Sequence, residues 1–307
     1  MKRFFALLIA ILTAGLCLTA CSVLMPVPPP PPTLAPTAGP LPTLADLTAN
    51  ATPTTRIEPS PTPTASSFSG ASVSFDRLSL VIPTGVAAQG SGILVPEAKG
   101  EDVAPWDVAP EHIQFTLESY ALSGKFFQPQ IYVYPAQDYA QLQERGTAAK
   151  SIEQLGTVLA QSAMVDLKEL PCVPFFNVGP ALAAQVKVIP FQHGRGVRMV
   201  TEYAMGPAII NNNELIYHFE GLTNDGQTYV IAILPVNAPG LPEDGQPGGA
   251  VPPDGVPVPD FNDMNADWMG YYGDVRQMLQ GLIPSDYNPN LDQLDTLIES
   301  LSITALN

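Results

Sequence analysis

The chain has 307 residues and a formal net charge of −16, from 13 basic and 29 acidic side chains. This balance excludes nucleic-acid binding, because neutralising phosphates needs clustered Lys and Arg. Hydrophobic residues make up 46% of the chain, which is enough for a sizeable core, while the 34 prolines indicate that part of the length forms no core.

The first 21 residues follow the order of an export signal. Lys2 and Arg3 form a short positive region, and the apolar run from Phe4 to Leu18 is shorter than the roughly 20 residues of a membrane-spanning helix. The run ends in Leu18-Thr19-Ala20-Cys21. This segment resembles the lipobox of bacterial lipoproteins. Two alternatives stay open: an ordinary signal peptide with a chance cysteine, and a retained membrane helix.

The resemblance implies a lipid anchor at Cys21. In that class the cysteine carries a thioether-linked diacylglycerol, the peptide is cut after the residue that matches Ala20, and the new amino terminus is usually acylated, for example with palmitate. Each buried CH₂ contributes roughly 0.8 kcal/mol, so two or three chains anchor stably. We therefore expect a lipoprotein on the extracytoplasmic side of the envelope membrane. Without the signal peptide, residues 1–20, its net charge is −18.

A proline- and threonine-rich stretch follows the cysteine. Residues 22–67 contain 13 prolines and 9 threonines, with two acids and one base. Such a stretch cannot bury a core, and the run Pro28–Pro32 favours extended polyproline II. We expect residues 21–67 to be the lipidated cysteine and a disordered tether. The alternative is a solubilising stalk of no particular length.

Of the three cysteines, only Cys172 remains as a thiol once Cys17 leaves with the signal and Cys21 is lipidated. No intramolecular disulfide is then possible. The apolar neighbours of Cys172 lack the cations that lower the pKa of a thiol. They predict a buried structural thiol rather than a reactive or metal-binding one.

Alternating and β-branched residues begin at Ala71 and predict an α+β fold. The first predicted strands are Val73–Ile82, Ile93–Val95, His112–Leu122 and Gln130–Tyr134. A short helix over Ala136–Glu144 follows Pro135, and Ser151 with Gln154 makes a capping-box pattern for a second helix.

Four further strands predict an antiparallel meander: Leu182–Gln192, Val197–Met205, Leu215–Leu222 and Gln227–Pro235. With residues 193–196 as the first turn, Gln192 lies opposite Val197 and Lys187 opposite Glu202. In the second hairpin, the Asp-Gly turn puts Tyr217 opposite Ala232. This hairpin is apolar on both sides, which predicts a place at the centre of the sheet with cover on both faces.

The C-terminal quarter begins with a loop. Residues 235–259 hold 8 prolines and 5 glycines and predict a long extended loop and a possible subdomain boundary. Apolar residues from Met264 to Leu282 then recur at helical spacing over about 20 residues. A second helix starts at Asn290, which can cap reciprocally with Gln293.

The predicted organisation is an α+β globular domain over residues 68–236, a Pro/Gly-rich loop over 237–260, and two helices in 261–307 that pack on the same domain. A mainly antiparallel sheet has helices on its faces. This order of elements resembles the layered sandwich of the PsbP-like proteins. The resemblance rests on element order alone and implies a non-enzymatic accessory or binding domain.

Four groups of residues are candidates for chemistry. His218 and Glu220 share one face of a strand and could do acid-base work or bind a metal. Asp263, Asn265, Asp267 and Asp274 match the spacing of a calcium loop, but Trp268 takes the position that needs glycine, so the acids are predicted as an exposed edge of a helix. Asn211-Asn212-Asn213 is either a polar turn or the crown of a binding surface. The pairs Gly90/Gly92 and Gly194/Gly196 are predicted as turn glycines.

The sequence therefore predicts a lipid-anchored, non-enzymatic binding protein with no catalytic residues, no metal site and no cofactor. Its expected partners are the membrane, through the lipid, and an envelope protein or a small ligand. The alternatives are a solute-binding lipoprotein of a transporter, which typically needs two βαβ lobes, and an unrecognised envelope hydrolase.

Overall fold

The computed structural model describes residues 68–142, 147–160, 170–173 and 178–304. The predicted signal peptide, Cys21 and the tether lie outside the described residues. So do the last two residues of the predicted helix Ala136–Glu144.

The described strands, numbered in chain order, are β1 (Ala71–Phe75), β2 (Leu78–Ile82), β3 (Gln89–Val95), β4 (His112–Glu118), β5 (Gln130–Pro135), β6 (Gly179–Pro180), β7 (Ala184–Phe191), β8 (Gly194–Thr201), β9 (Tyr203–Ala204), β10 (Ile216–Thr223), β11 (Thr228–Pro235) and β12 (Ser302–Ile303). The helices are α1 (Ala136–Leu142), α2 (Thr147–Ala160), α3 (Trp268–Gly281) and α4 (Leu291–Glu299), with a 3₁₀ turn at Pro284–Asp286.

A seven-stranded sheet forms the middle layer, in the order β3-β4-β5-β11-β10-β8-β7. Every pairing in it is antiparallel, which confirms the predicted α+β fold with a mainly antiparallel sheet. One core lies between this sheet and α1 and α2. The other lies between the opposite face and α3, α4 and the small sheet β1-β2-β12. The two βαβ lobes that a solute-binding lipoprotein typically needs are not found among the described elements.

The hairpin β10–β11 occupies the centre of the sheet, as its apolar character on both sides predicted. Every residue of β11 is buried. Val230, Ala232 and Leu234 face the core under α3 and α4, while Tyr229 and Ile231 face the core under α1 and α2. Because alternate residues point to opposite faces, this hairpin ties the two cores together.

The predicted register of the second hairpin is wrong by two residues. Tyr217 pairs with Leu234 rather than Ala232. A shift of two keeps each side chain on its predicted face, so the burial pattern survives.

The predicted register of the first hairpin is wrong by four residues. Residues 193–196 are not its turn, because β8 begins at Gly194 directly after the left-handed His193, whose φ is 72°. Lys187 therefore faces Arg198 instead of Glu202. Two positive charges meet across the strands, and Asp295 of α4 lies between them and bonds to both.

The four glycines predicted in turns lie inside strands, two in β3 and two in β8. Each makes room for an aromatic ring: a Cβ would strike Phe115 at Gly90, Phe75 at Gly92, Phe191 at Gly194 and Phe219 at Gly196. A strand glycine that permits a close approach carries the same sequence signal as a turn glycine, which explains the error.

Three other predictions at the ends of elements are wrong. The predicted strand Val73–Ile82 is a hairpin, because Asp76 takes a φ of 51° and reverses the chain. Ser151 is buried inside α2, which begins four residues earlier, so it caps nothing. Asn290 caps α4 through Asp292 N, but Gln293 donates to Thr84 O instead of closing a capping box.

None of the helices within the described ranges is long and apolar enough to cross a bilayer.

Candidate functional site

His218 and Glu220, the pair singled out for acid-base chemistry, lie together in the core beneath α2. His218 Nε2 is 2.9 Å from Glu220 Oε1. Tyr229 donates its hydroxyl hydrogen to Glu220 Oε2, and Val173 N donates to Oε1 at 2.8 Å. The carboxylate thus accepts three hydrogen bonds, which is what a buried acid needs.

The bonds continue from His218 toward the segment 170–173. Tyr203 Oη is 3.3 Å from His218 Nδ1, and Cys172 Sγ is 3.4 Å from Tyr203 Oη. The contacts thus link Cys172, Tyr203, His218 and Glu220 in one series.

This cluster fastens the segment 170–173 to the body of the protein. Val173 N bonds to Glu220 of β10, and Cys172 N bonds to Ser151 Oγ of α2 at 3.1 Å. His218 is 1% exposed and Glu220 0%. A general base must reach the proton that it removes, and this pair is buried among protein partners, where its bonds hold the segment 170–173 in place.

Cys172 is partly exposed. Burial, and secondly the charge of Glu220, raise the pKa of its thiol to about 12. The thiolate is the reactive species, so the structure agrees with a structural thiol, although one less buried than predicted.

The acids of the calcium-like pattern do not share one helix edge. Helix α3 begins at Trp268, so Asp263 precedes it and Asp267 is its N-cap, accepting from Gly270 N at 2.8 Å. Asp263 Oδ1 accepts from Asn265 N at 2.9 Å. Across the described ranges, no group of three or more His, Cys, Asp or Glu side chains is placed to hold a metal ion.

The proline-rich loop forms nearly all of a groove of about 810 Å³, and Ile209 is the one lining residue from outside residues 242–262 in the described part of the chain. Its lining includes Ile209, Val251, Val258, Phe261 and six prolines: Pro242, Pro247, Pro252, Pro253, Pro257 and Pro259. This volume falls within the range of ligand sites in proteins, roughly 300–1,000 Å³. The loop predicted as a possible subdomain boundary therefore encloses a groove large enough for a ligand.

Buried asparagines hold this loop in place. Asn212 is 5% exposed, its backbone N donates to Pro242 O, and its Oδ1 accepts from Ala238 N, both at 2.8 Å. Asn211 is also buried and accepts from Asn213 N at 3.0 Å. The Asn211-Asn212-Asn213 run is thus a turn that supports the groove, and the two buried asparagines cannot crown a binding surface.

Two tyrosines of α3 hold the chain that meets the loop at Ile209. Tyr271 Oη accepts from Ile210 N at 3.1 Å, and Tyr272 Oη accepts from Ala208 N at 2.9 Å. These bonds lie on either side of Ile209, which lines the groove. The first residues of the loop and Ile209 are therefore held by buried or helix-borne side chains.

Glu202 bonds to Asn211 and has one oxygen unsatisfied. Its Oε2 accepts from Asn211 N at 2.8 Å, while its buried Oε1 has no hydrogen-bond partner in the described structure. Burial raises the pKa of Glu202 to about 9, against the lowering effect of the Asn211 bond. The group is therefore protonated at neutral pH.

The groove itself is acidic. Asp244 and Asp260 line it, and no Lys or Arg belongs to its lining in the described part of the chain. Neither acid takes part in an ion pair among the described residues. The nearest stretch of chain adds to this charge, since residues 237–307 contain 11 acids and one base.

No family model, curated protein or solved structure matches the chain.

Sequence reasoning found the loop and the buried His–Glu pair but missed the groove. The groove depends on Asn212 reaching across to Ala238 and Pro242, contacts between a turn and a loop about 25 to 30 residues later. The sequence feature that could have indicated the groove was the run of three asparagines ahead of the proline-rich loop.

Proposed function

We propose that the protein is a lipoprotein anchored at Cys21 on the extracytoplasmic side of the envelope membrane, and that its folded part binds another envelope component. The observation that carries the proposal is the order of Lys2 and Arg3, the apolar run, the box Leu18-Thr19-Ala20-Cys21 and the proline-rich stretch after it. The lipid and the tether would hold residues 68–304 away from the bilayer.

A binding role rather than catalysis is supported by the interior. The His–Glu pair is enclosed by its own partners, and the groove at the proline-rich loop is lined by six prolines, apolar side chains, two aspartates and uncharged polar residues. Nucleophile, base and oxyanion donors do not come together in that lining, and catalysis of acyl or phosphoryl transfer needs such a set. The proposed likeness to the PsbP-like layered sandwich points the same way, since it implies an accessory or binding domain.

The anchor is tested by feeding cells an alkyne analogue of palmitate and comparing wild type with Cys21→Ala. Wild type should take up the label and sediment with membranes, while Cys21→Ala should lose both properties. Cys172→Ala is the matched control, because it removes the other cysteine of the mature chain and should keep the label.

A Cys21→Ala protein that still sediments with membranes after its signal peptide has been cleaved would overturn the lipoprotein assignment. Label on Cys21→Ala but not on Cys172→Ala would overturn it as well.

A further inference from the structure

The groove has a chemistry that selects its occupant. Its lining is mainly prolines and other apolar side chains, with Gln246 and Asn262 as uncharged polar groups, and Asp244 and Asp260 are the charged groups that line it in the described part of the chain. An occupant must therefore offer apolar surface to the walls and positive charge to the two carboxylates. An anionic occupant would meet an acidic rim and the strongly negative C-terminal quarter of the chain.

Apolar surface extends past the groove along the same stretch of chain. Phe261 lines the groove and is 42% exposed, and its ring lies 4.6 Å from that of Trp268 at the start of α3. Met264 and Met269 beside them are 99% and 78% exposed. Exposed methionines and an aromatic ring next to a groove favour a flexible polypeptide over a small molecule, because methionine adapts to irregular apolar partners.

We propose that this groove binds an extended, basic peptide segment of another envelope protein, with Arg or Lys side chains on Asp244 and Asp260 and intervening apolar residues on the proline wall. The inference rests on the proposed binding function and names its partner class. Asp244 Oδ1 and Asp260 Oδ1 already accept from the backbone of Gln246 and Asn262, so both carboxylates are oriented before a partner arrives.

Trp268 provides a reporter for this site. The chain has two tryptophans, and Trp106 lies in the loop between β3 and β4. Replacing Trp106 by Phe leaves Trp268, in contact with Phe261, as the only source of tryptophan fluorescence. A peptide seated in the groove changes the surroundings of this pair and therefore the emission of Trp268.

The experiment titrates the purified full chain carrying Trp106→Phe, in neutral detergent, with a synthetic peptide of Arg-Pro-Val repeats. We expect a saturable change in Trp268 emission that weakens as NaCl is raised. Adding Asp244→Asn or Asp260→Asn should each lower the affinity about fivefold, while Asp102→Asn, an exposed acid in the β3–β4 loop, should not change it.

Two controls decide the class of the occupant. A peptide of Glu-Pro-Val repeats should leave the emission unchanged. Arginine methyl ester, a small cation, should fail to compete with the Arg-Pro-Val peptide. Equal binding of the acidic peptide, competition by the small cation, or equal affinity of the Asp244→Asn, Asp260→Asn and Asp102→Asn variants would each overturn the inference.

The outcome separates this inference from the proposed function. Circular dichroism of each variant distinguishes a lost carboxylate from a lost fold. Failure of the peptide to bind, with the Cys21-dependent label and membrane attachment intact, overturns the groove assignment and leaves the anchor standing. Loss of the anchor in the labelling experiment leaves peptide binding in detergent unaffected.

Discussion

Arg198 of β8 and Asp295 of α4 form a buried ion pair, with Arg198 Nε 3.2 Å from Asp295 Oδ1. The side chain of Arg198 is 3% exposed and that of Asp295 5%. Lys187 Nζ lies 2.8 Å from Asp295 Oδ2, and Tyr217 donates to Oδ1 at 3.0 Å. One carboxylate thus fixes α4 on the sheet and bridges two cations that face each other across β7 and β8.

Replacing Asp295 by Asn should destabilise the protein by about 3–5 kcal/mol, because the buried guanidinium of Arg198 loses its counter-charge. Asp292→Asn makes the same chemical change at an exposed position of the same helix and should cost about 0.5 kcal/mol or less. Urea unfolding of the two variants measures the difference. Equal midpoints would show that the pair contributes nothing beyond a surface charge.

Glu220→Gln should destabilise the segment 170–173 and the packing of α2. Three groups bond to the two oxygens of Glu220: Val173 N, His218 Nε2 and Tyr229 Oη. Glutamine would replace one oxygen by an NH₂ group, and the group that bonds to that oxygen would lose its acceptor. We expect a loss of about 3 kcal/mol in thermal or urea unfolding. Glu118→Gln, at the last residue of β4 where the carboxylate makes solvent-exposed hydrogen bonds, is the control and should cost little. A similar small effect at both sites would contradict the structural role of the cluster.

Gly196→Ala and Gly156→Ala should have opposite effects. A Cβ at Gly196 would collide with the backbone oxygen of Glu220 and the ring of Phe219, so we expect a loss of about 2 kcal/mol. Gly156 lies in α2 with open space around it, and alanine there should stabilise by about 0.5–1 kcal/mol because it favours the helix. Melting temperatures that move in the same direction would refute the strand-glycine explanation.

Glu202 should make the free energy of unfolding depend on pH. Its pKa in the folded protein, about 9, lies above the ordinary value of 4.5, so between these values the folded state holds a proton that the unfolded state releases. The contribution of Glu202 therefore lowers the free energy of unfolding as pH rises through this window, by about 1.4 kcal/mol per pH unit. Charge interactions also couple Glu202 to Glu214, Tyr271 and Tyr272.

Glu202→Gln should remove this slope, so that the variant gains stability relative to wild type as the pH rises from 5 toward 9. Urea unfolding at several pH values measures it. Glu153→Gln, an exposed residue of α2, is the control. An unchanged slope in Glu202→Gln would mean that Glu202 is ionised in the folded protein.

Cys172 should react slowly with thiol reagents while the protein is folded. A pKa of about 12 in place of the ordinary value of 9.0 lowers the thiolate fraction on the order of a thousandfold at pH 8. Labelling of Cys172 with iodoacetamide should be slow in buffer and rapid in denaturing urea. The Cys172→Ser variant measures the labelling that does not come from this thiol. Rapid labelling in buffer would place the thiol in an activating environment that its partners Tyr203 and Glu220 do not provide.

The periodicity of apolar residues predicted the strands, the central hairpin and the apolar faces of α3 and α4. A strand buries every second residue on one face, and a helix buries residues three and four positions apart. Register was not predicted. Lys187 opposite Glu202 was the plausible charge pairing, but the charge that satisfies Lys187 comes from Asp295, 108 residues away. The same limit applies to the sites. His218 and Glu220 were found as neighbours in sequence, whereas Cys172, Asn212 and the groove needed contacts that only the tertiary structure brings together.

The small sheet β1-β2-β12 has a mechanical consequence. The chain enters the described fold through β1, which pairs with β2 from Ala71–Ile82 at its open end to Phe75–Leu78 beside the turn. Tension on the chain ahead of Ala71 therefore breaks these pairs one after another, at a lower force than breaking them together. Strand β2 is held on its other edge by β12, and Val81 N is held by Ser300 Oγ. Strand β1 would detach first under load and lengthen the extended chain that precedes β2, while β2 and the seven-stranded sheet keep their contacts.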